Sequence, residues 1–372
     1  MEKVGYAYEQ TFRRGKDRKK RDILLKIIAI SGELPSYLIS MIIGSSSYAA
    51  SLVTTLKKEG YIHVRSKDGL RGYILSRKGK TYLLSHYEAD MRDYLTGARE
   101  TNHIKSEKEK RLRLHRMSLA WTHFFMQGCY IFPSQKPKIF SDAFFIKRET
   151  GTYYGSQELK EGTDKIKASR ACGLFLKNGE AFVVYQTMEN LLKWAKKTEY
   201  AMRAWVEGKA LRHNLSWGSD AMFLGNSMAF LLQILKSTGG LKNQLFQVDD
   251  TYEHYYYVPC LAIFSVIQTD LIVDGKTTKY FEKFLYTMLD DIETQGFSVH
   301  AGYIKQRRVY FCYEMELKHL IQVKMDLERR GNGVVVCLDY QAETLKEYFG
   351  EEVEMMVLVC QKVKQYLDMQ RS

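Results

Sequence analysis

Asp142 and Gln186 are the positions whose types and surroundings best fit chemistry on a phosphodiester. Asp142 stands in Ser141-Asp142-Ala143, inside the run Ile139-Phe-Ser-Asp-Ala-Phe-Phe-Ile146, a short strand by composition. A second apolar run, Ala181-Phe-Val-Val-Tyr185, leads into Gln186-Thr187-Met188 and follows Ala171–Leu176 across an Asn178-Gly179 turn. Nucleases that hold a metal between two strands put one acid at the end of the first. On the neighbouring strand they carry an acid or amide, with a lysine two positions later. Mg²⁺ held there neutralises phosphate and activates water, while the lysine stabilises charge at the reacting phosphate. Asp142 suits the first place and Gln186 the second, but Met188 stands where lysine belongs. Glu158 and Glu161, in the polar segment ahead of the turn, are substitute ligands.

Other candidate groups are weaker. Lys165, Lys167, Ser169 and Arg170 form a basic entry to the second strand, suited either to clamping phosphate or to a solvated loop. Tyr185 has a nucleophile's hydroxyl, yet a tyrosine ending an apolar strand is expected to pack. Trp194 and Trp205 lie among basic residues and can stack on bases, but core-facing positions suit them better. Asp339 ends the apolar run Gly333–Leu338, where open α/β sheets place functional groups. No GxxxxGK[ST], GxGxxG, GxSxG or HExxH occurs, and the nine histidines offer no metal-binding spacing. The six cysteines form no CxxC pair and read as buried, reduced thiols.

The elements ahead of these residues are legible in more detail. Asp22–Ile30 is a short amphipathic run closed by Ser31-Gly32, and a second helix can start at Pro35 and stop at Gly44. Ser45, Ser46 and Ser47 offer cap hydroxyls to a third helix over Tyr48–Glu59, ended by Gly60. Tyr61–Val64 and Gly72–Leu75 form a hairpin across Lys67-Asp68-Gly69, and residues 76–84 close the unit. Three short helices followed by a basic hairpin describe a winged helix-turn-helix, whose third helix fits a major groove. Such modules also serve as protein-dimer contacts, but the charge favours double-stranded DNA. Residues 13–21 hold seven basic side chains and one acid, among them Arg13, Arg14, Arg18, Lys19, Lys20 and Arg21. Lys57, Lys58, Arg65, Lys67 and Arg71 add to the helix end and the hairpin, where phosphate contacts are expected. Base selectivity is expected from Ser46, Ser47, Tyr48, Ser51 and Thr54.

The chain of 372 residues has a net charge of +13, unevenly placed. Residues 1–237 carry a net +18 and residues 238–372 a net −5, so nucleic acid suits the first two thirds and protein partners the acidic last third. The expected domains are a basic arm (1–20), the winged helix (21–86), a connecting helix (87–128), an α/β domain (129–240) and a C-terminal α/β domain (241–372). From residue 255 onward, strand and helix language alternates, with Leu261–Ile267 read as β-rich and Tyr280–Ile292 as helical. Gly151–Gly155 reads as a turn and residues 191–207 as a helix. A polar, charged N-terminus and the lack of a long apolar run point to a cytoplasmic protein with no membrane contact. The fold class is therefore multidomain, α+β with α/β parts.

The order of a winged helix, a basic connecting helix, a strand carrying Ser-Asp-Ala, a hairpin and a helix resembles the replication-relaxation proteins of plasmids and conjugative elements. The likeness covers roughly residues 20–210. These proteins include mobilisation relaxases built on a restriction-endonuclease-like core, so the resemblance implies such a core here. It implies Asp142 as the metal-binding acid, Gln186 as its partner, Lys165 or Lys193 as a migrated lysine, and Mg²⁺ as the cofactor if the site cuts. With the usual second acid and lysine missing, the expectation is a DNA-binding protein acting in replication or mobilisation, its nuclease-like part degenerate. An active nicking relaxase and a winged-helix transcriptional regulator are the alternatives.

Overall fold

The structure, a computed structural model, describes residues 20–97, 100–105, 107–139, 141, 149–163, 166, 168–212, 220–240, 244–261, 264–293 and 298–371. It is mixed α/β and divides into two compact units, the first holding the described residues up to 163 with 172–176, the second most of the remainder. The division falls inside 129–240, a segment whose composition reads as one domain.

In the first unit α1 (Lys20–Ser31) is buried on almost every side, with Leu24, Leu25, Ile27, Ile28 and Ala29 fully enclosed. A helix apolar all round belongs at the centre of a core. A two-residue strand β1 (Leu34–Pro35), a 3₁₀ turn (Ser36–Leu38) and α2 (Ile39–Ile43) follow, then α3 (Ser46–Lys58). Strands β2 (Ile62–Lys67) and β3 (Leu70–Leu75) pair antiparallel, and β1 joins the other edge of β3. Asp68 and Gly69 both take positive φ, 55° and 75°, which a two-residue hairpin turn of matching twist requires. Ser76 caps α4 (Arg77–His86), its Oγ accepting from the Gly79 N–H at 3.0 Å.

Where one connecting helix is expected over 87–128, the chain forms two, α5 (Glu88–Leu95) and α6 (Lys108–Met126). Rather than connecting two domains, α6 packs on α1, β1 and β3 inside the first unit. Its second half carries Trp121 and Phe124 against Tyr153 and Phe175, with ring centroids 4.3–4.8 Å apart. Tyr153 belongs to β4 (Thr152–Gly155), where a turn is expected; the segment is extended because it pairs antiparallel with β5 (Ala171–Lys177). α7 (Ser156–Thr163) follows β4 directly. The strand expected over 139–146 lies almost wholly outside the described residues.

In the second unit β6 (Glu180–Met188), α8 (Lys196–Arg212), β7 (Asp220–Gly225), α9 (Ala229–Leu235) and β8 (His254–Pro259) follow one another. The three strands run parallel, and their near-continuous burial is what helix-covered parallel strands show. Leu261–Ile267 reads as β, but Ser265–Val273 is helix α10, followed by α11 (Gly275–Tyr286). Helix wins there because Ile267 and Leu271, four positions apart on one helical face, both fill the same core. β9 (Asp291–Ile292), β10 (Gly302–Ile304), β11 (Arg307–Phe311), α12 (Leu317–Arg330), β12 (Gly333–Leu338), α13 (Ala342–Phe349), β13 (Glu354–Leu358) and α14 (Cys360–Arg371) complete the chain. Their sheet runs β13-β12-β11-β10-β9, parallel across the first three and antiparallel beyond. Val334, Val336 and Leu338 meet Phe281, Leu285 and Cys360 in its core.

All six cysteines are free and buried, in line with the sequence reading. Among the described residues no single helix is long and apolar enough to cross a membrane. The pair spanning Ser36–Lys58 passes that length and composition test only jointly, and it is bent by 116°.

Candidate nucleic-acid interface

α3 begins where Ser45, extended at φ −149° and ψ 122°, accepts from the Tyr48 N–H at 3.4 Å. Ala49, Leu52, Val53 and Leu56 repeat at helical spacing and are buried, which fixes the opposite face outward. That outer face carries Ser46, Ser47, Tyr48, Ser51, Thr54, Lys57 and Lys58, all exposed. The sequence reading and the structure agree on this partition. Thr54 has its hydroxyl turned to the Ala50 carbonyl at 2.9 Å, so its donor is spent within the helix. A groove of about 370 Å³ runs beside this face, with Ser36, Ser40, Ser46, Ala50, Lys57 and Arg71 among its walls. α3 and β3 thus bring two cations, Lys57 and Arg71, to one depression.

The hairpin presents Lys67 and Arg71, both exposed. Arg65 is a correction to the expected phosphate set: its guanidinium turns inward, 17% exposed and 3.9 Å from the Glu33 carboxylate. Two further corrections fall at the start of α1. Arg21 donates to Tyr82 Oη at 2.7 Å and to Asp22 Oδ1 at 3.1 Å, and Asp22 also accepts from Tyr82 and Tyr87. Lys20 donates to the Ile43 carbonyl at 3.0 Å and lies 5.2 Å from the centre of the Tyr48 ring. Both cations are thus engaged by the fold, although the Arg21 side chain stays 34% exposed. Arg13, Arg14, Arg18 and Lys19 lie outside the described residues.

Beneath the hairpin sits a buried ionic group that the sequence does not reveal. Glu33 is 1% exposed, and Arg111 from α6 reaches it with Nε at 3.0 Å and Nη2 at 2.6 Å. His115 adds Nε2 at 3.0 Å from the same carboxylate. Burial alone would raise the Glu33 carboxyl; hydrogen bonds from His115 and Arg111 outweigh it and hold the group down at about 2. Arg111 goes further, donating Nη1 to the Lys67 carbonyl at 2.7 Å and Nη2 to the Leu70 carbonyl at 3.2 Å. Gly72 lies against this group: a Cβ there would come within 2.7 Å of Glu33 and 3.1 Å of His115.

The residues assigned to cleavage are not brought together among the described residues. Asp142, Lys165 and Lys167 lie outside them. Gln186 is 3% exposed, and its Oε1 accepts from the Met188 N–H at 2.6 Å across a β-bulge where Met188 takes φ 52°. A neutral, enclosed amide oxygen already bonded to its own backbone does not fit a ligand position for Mg²⁺. Glu158 is committed too: it pairs with buried Lys136 at 2.8 Å and accepts from the Gly155 N–H. No group of three or more His, Cys, Asp or Glu side chains able to hold a metal occurs among the described residues.

Tyr185 is fully buried, its hydroxyl bonded to Glu199 at 2.8 Å and Tyr252 at 2.7 Å, and burial pushes its ionisation well above the usual phenol range. It packs, as its place at the end of an apolar strand implies. Glu199 also fixes the basic loop, accepting from Ser169 Oγ and the Arg170 N–H at 2.8 Å each, which leaves the Arg170 side chain exposed. Trp194 is a core residue donating to Asp249 at 2.9 Å, Lys193 bridges to Leu245, and Trp205 is half-buried. Asp339 accepts from the N–H groups of Tyr340 and of Cys360 at the start of α14, a structural role. Set against known proteins, the chain matches no family model, no curated protein and no solved structure.

Proposed function

We propose that this chain is a DNA-binding protein whose N-terminal unit is a winged helix-turn-helix. In this reading α3 enters the major groove, and the β2–β3 hairpin is the wing resting on flanking phosphates. One observation carries it: α3 shows solvent a face that carries Ser46, Ser47, Tyr48, Ser51 and Thr54 and ends in Lys57 and Lys58, with Arg71 of the hairpin lining the same groove. Exposed hydroxyls suit base edges and the cations suit phosphates. The excess of positive charge over residues 1–237 supports the same partner.

The setting we infer is replication or mobilisation at an origin of a plasmid or conjugative element, on the motif order that resembles replication-relaxation proteins. The α/β part is then nuclease-like and degenerate, a reading supported by the enclosed Gln186 amide and by Met188 in the lysine's place. The acidic last third meets protein partners rather than DNA.

The test is the salt dependence of duplex binding by the full chain. Each phosphate contact contributes about 0.9 to the log–log slope, so glutamine at Lys57, Lys67 and Arg71 together should flatten it by roughly 2 to 3. Unchanged affinity and slope would sink the proposal.

A further inference from the structure

We propose that Arg111 of α6 is the positioning residue of the wing, so that the DNA-binding module extends through α6 rather than ending at α4. The inference rests on the DNA-binding reading above and concerns how the hairpin is held for it. Arg111 is completely buried, and its guanidinium donates to Glu33 and to three hairpin carbonyls, those of Arg65, Lys67 and Leu70. Lys67 and Leu70 are the register pair that flanks the Asp68–Gly69 turn. One planar, charged fork thus grips both strands where the chain reverses, and a planar fork has fixed donor directions that an ammonium lacks.

The hairpin needs such a grip. β2 is an edge strand with His63, Val64, Ser66 and Lys67 exposed, so little apolar burial holds the outer strand in place. On the inner side Gly72 admits Glu33 and His115 to the backbone of β3 at a distance no other residue allows. Ser118, one turn beyond His115, donates to the Glu33 carbonyl at 2.8 Å and keys α6 to the same point. The wing's direction is therefore set from α6, while α3 is set by its own apolar face on the core. Arg111 acts through Lys67 and Arg71, whose ammonium and guanidinium it aims without touching DNA.

The experiment is a double-mutant cycle on the full chain, reading duplex affinity and salt slope on protein shown to be folded by far-UV circular dichroism. Lys67→Gln with Arg71→Gln should reduce the slope by about 1.8, two contacts at roughly 0.9 each. Arg111→Met should reduce it by a similar amount, and the triple variant should lose little more, because the wing cations are already out of reach. Losses from Arg111→Met and the wing variants that simply add would overturn the proposal, as would an Arg111→Met protein that binds with wild-type slope. If Arg111→Met fails to fold, Arg111→Met with Glu33→Gln removes both buried charges and is read in the same cycle. Arg111→Lys should restore folding but not the slope. A wild-type chain that shows no salt-dependent duplex binding counts instead against the DNA-binding reading itself.

Discussion

Glu33 and Arg111 are both charged and both enclosed at neutral pH, so removing either alone strands the other. At pH 7 Glu33→Gln should destabilise the first unit by about 3–5 kcal/mol, because the guanidinium is left beside a neutral amide. The pH dependence follows from the depressed carboxyl. Its folded value of about 2 lies below the ordinary 4.5, so the stabilisation is complete above 4.5 and is lost as pH falls towards 2. Wild type and variant should therefore converge in urea midpoints across that window; a constant gap down to pH 2 would show that the ion pair is not its source. None of this is visible from local sequence. Glu33 sits in a Gly-Glu-Leu-Pro stretch that reads as a loop, and Arg111 in an alternating charged run that reads as a solvated helix face. The two are 78 positions apart, and the packing of α6 on β1, just after Glu33, pairs them.

Among the elements, those closed by local chemistry were readable and those decided by packing were not. Ser45 as a cap, Asp68-Gly69 as a turn and Gly333–Leu338 as a strand all follow from residues within a few positions of one another. Leu261–Ile267 fails because a short apolar run has no periodicity long enough to separate strand from helix. Gly151–Gly155 fails because its two glycines suggest a turn, while pairing with β5 makes it a strand. Within α3 the exposed hydroxyls lead to a second expectation. Ser47→Ala with Ser51→Ala should narrow the gap between specific and random duplexes by about 1–3 kcal/mol per good base contact, with smaller effect on total affinity. Equal losses on both duplexes, measured by competition binding, would remove α3 as the reading helix. Thr54 should matter less than its exposure suggests, since its donor is bound to Ala50.

Over the whole molecule, charge and catalytic potential separate. Residues 1–237 hold the positive excess on which the proposed DNA binding rests, yet Gln186, a member of the expected catalytic set, is enclosed and bonded to its own bulge. Magnesium competes with its own hydration and usually needs one or two carboxylates from the protein. We therefore expect the full chain to leave supercoiled origin DNA intact with Mg²⁺ or Mn²⁺, assayed by gel for nicked circles. Nicking that disappears in Asp142→Ala while duplex binding persists would overturn this expectation and make the protein a relaxase. The candidate catalytic residues came from spacing and from motif order, and neither says whether an amide faces solvent or its own backbone. Arg21, Lys20 and Arg65 illustrate the same limit for the basic set: each counted as a phosphate ligand, and each is engaged by a neighbour from another element.

The distance in sequence between Glu33 and Arg111 also has a consequence during synthesis. Translation delivers the three helices and the hairpin before α6, so for a time the carboxylate beneath the hairpin has no guanidinium to meet it. The hairpin should stay loosely held until residues 108–118 have left the ribosome, and then close in one step. Arrested nascent chains exposing residues 1–105 and 1–126 should differ accordingly, with protease resistance of the hairpin appearing only in the longer. Equal resistance in both would mean that the hairpin seats itself before its clamp arrives.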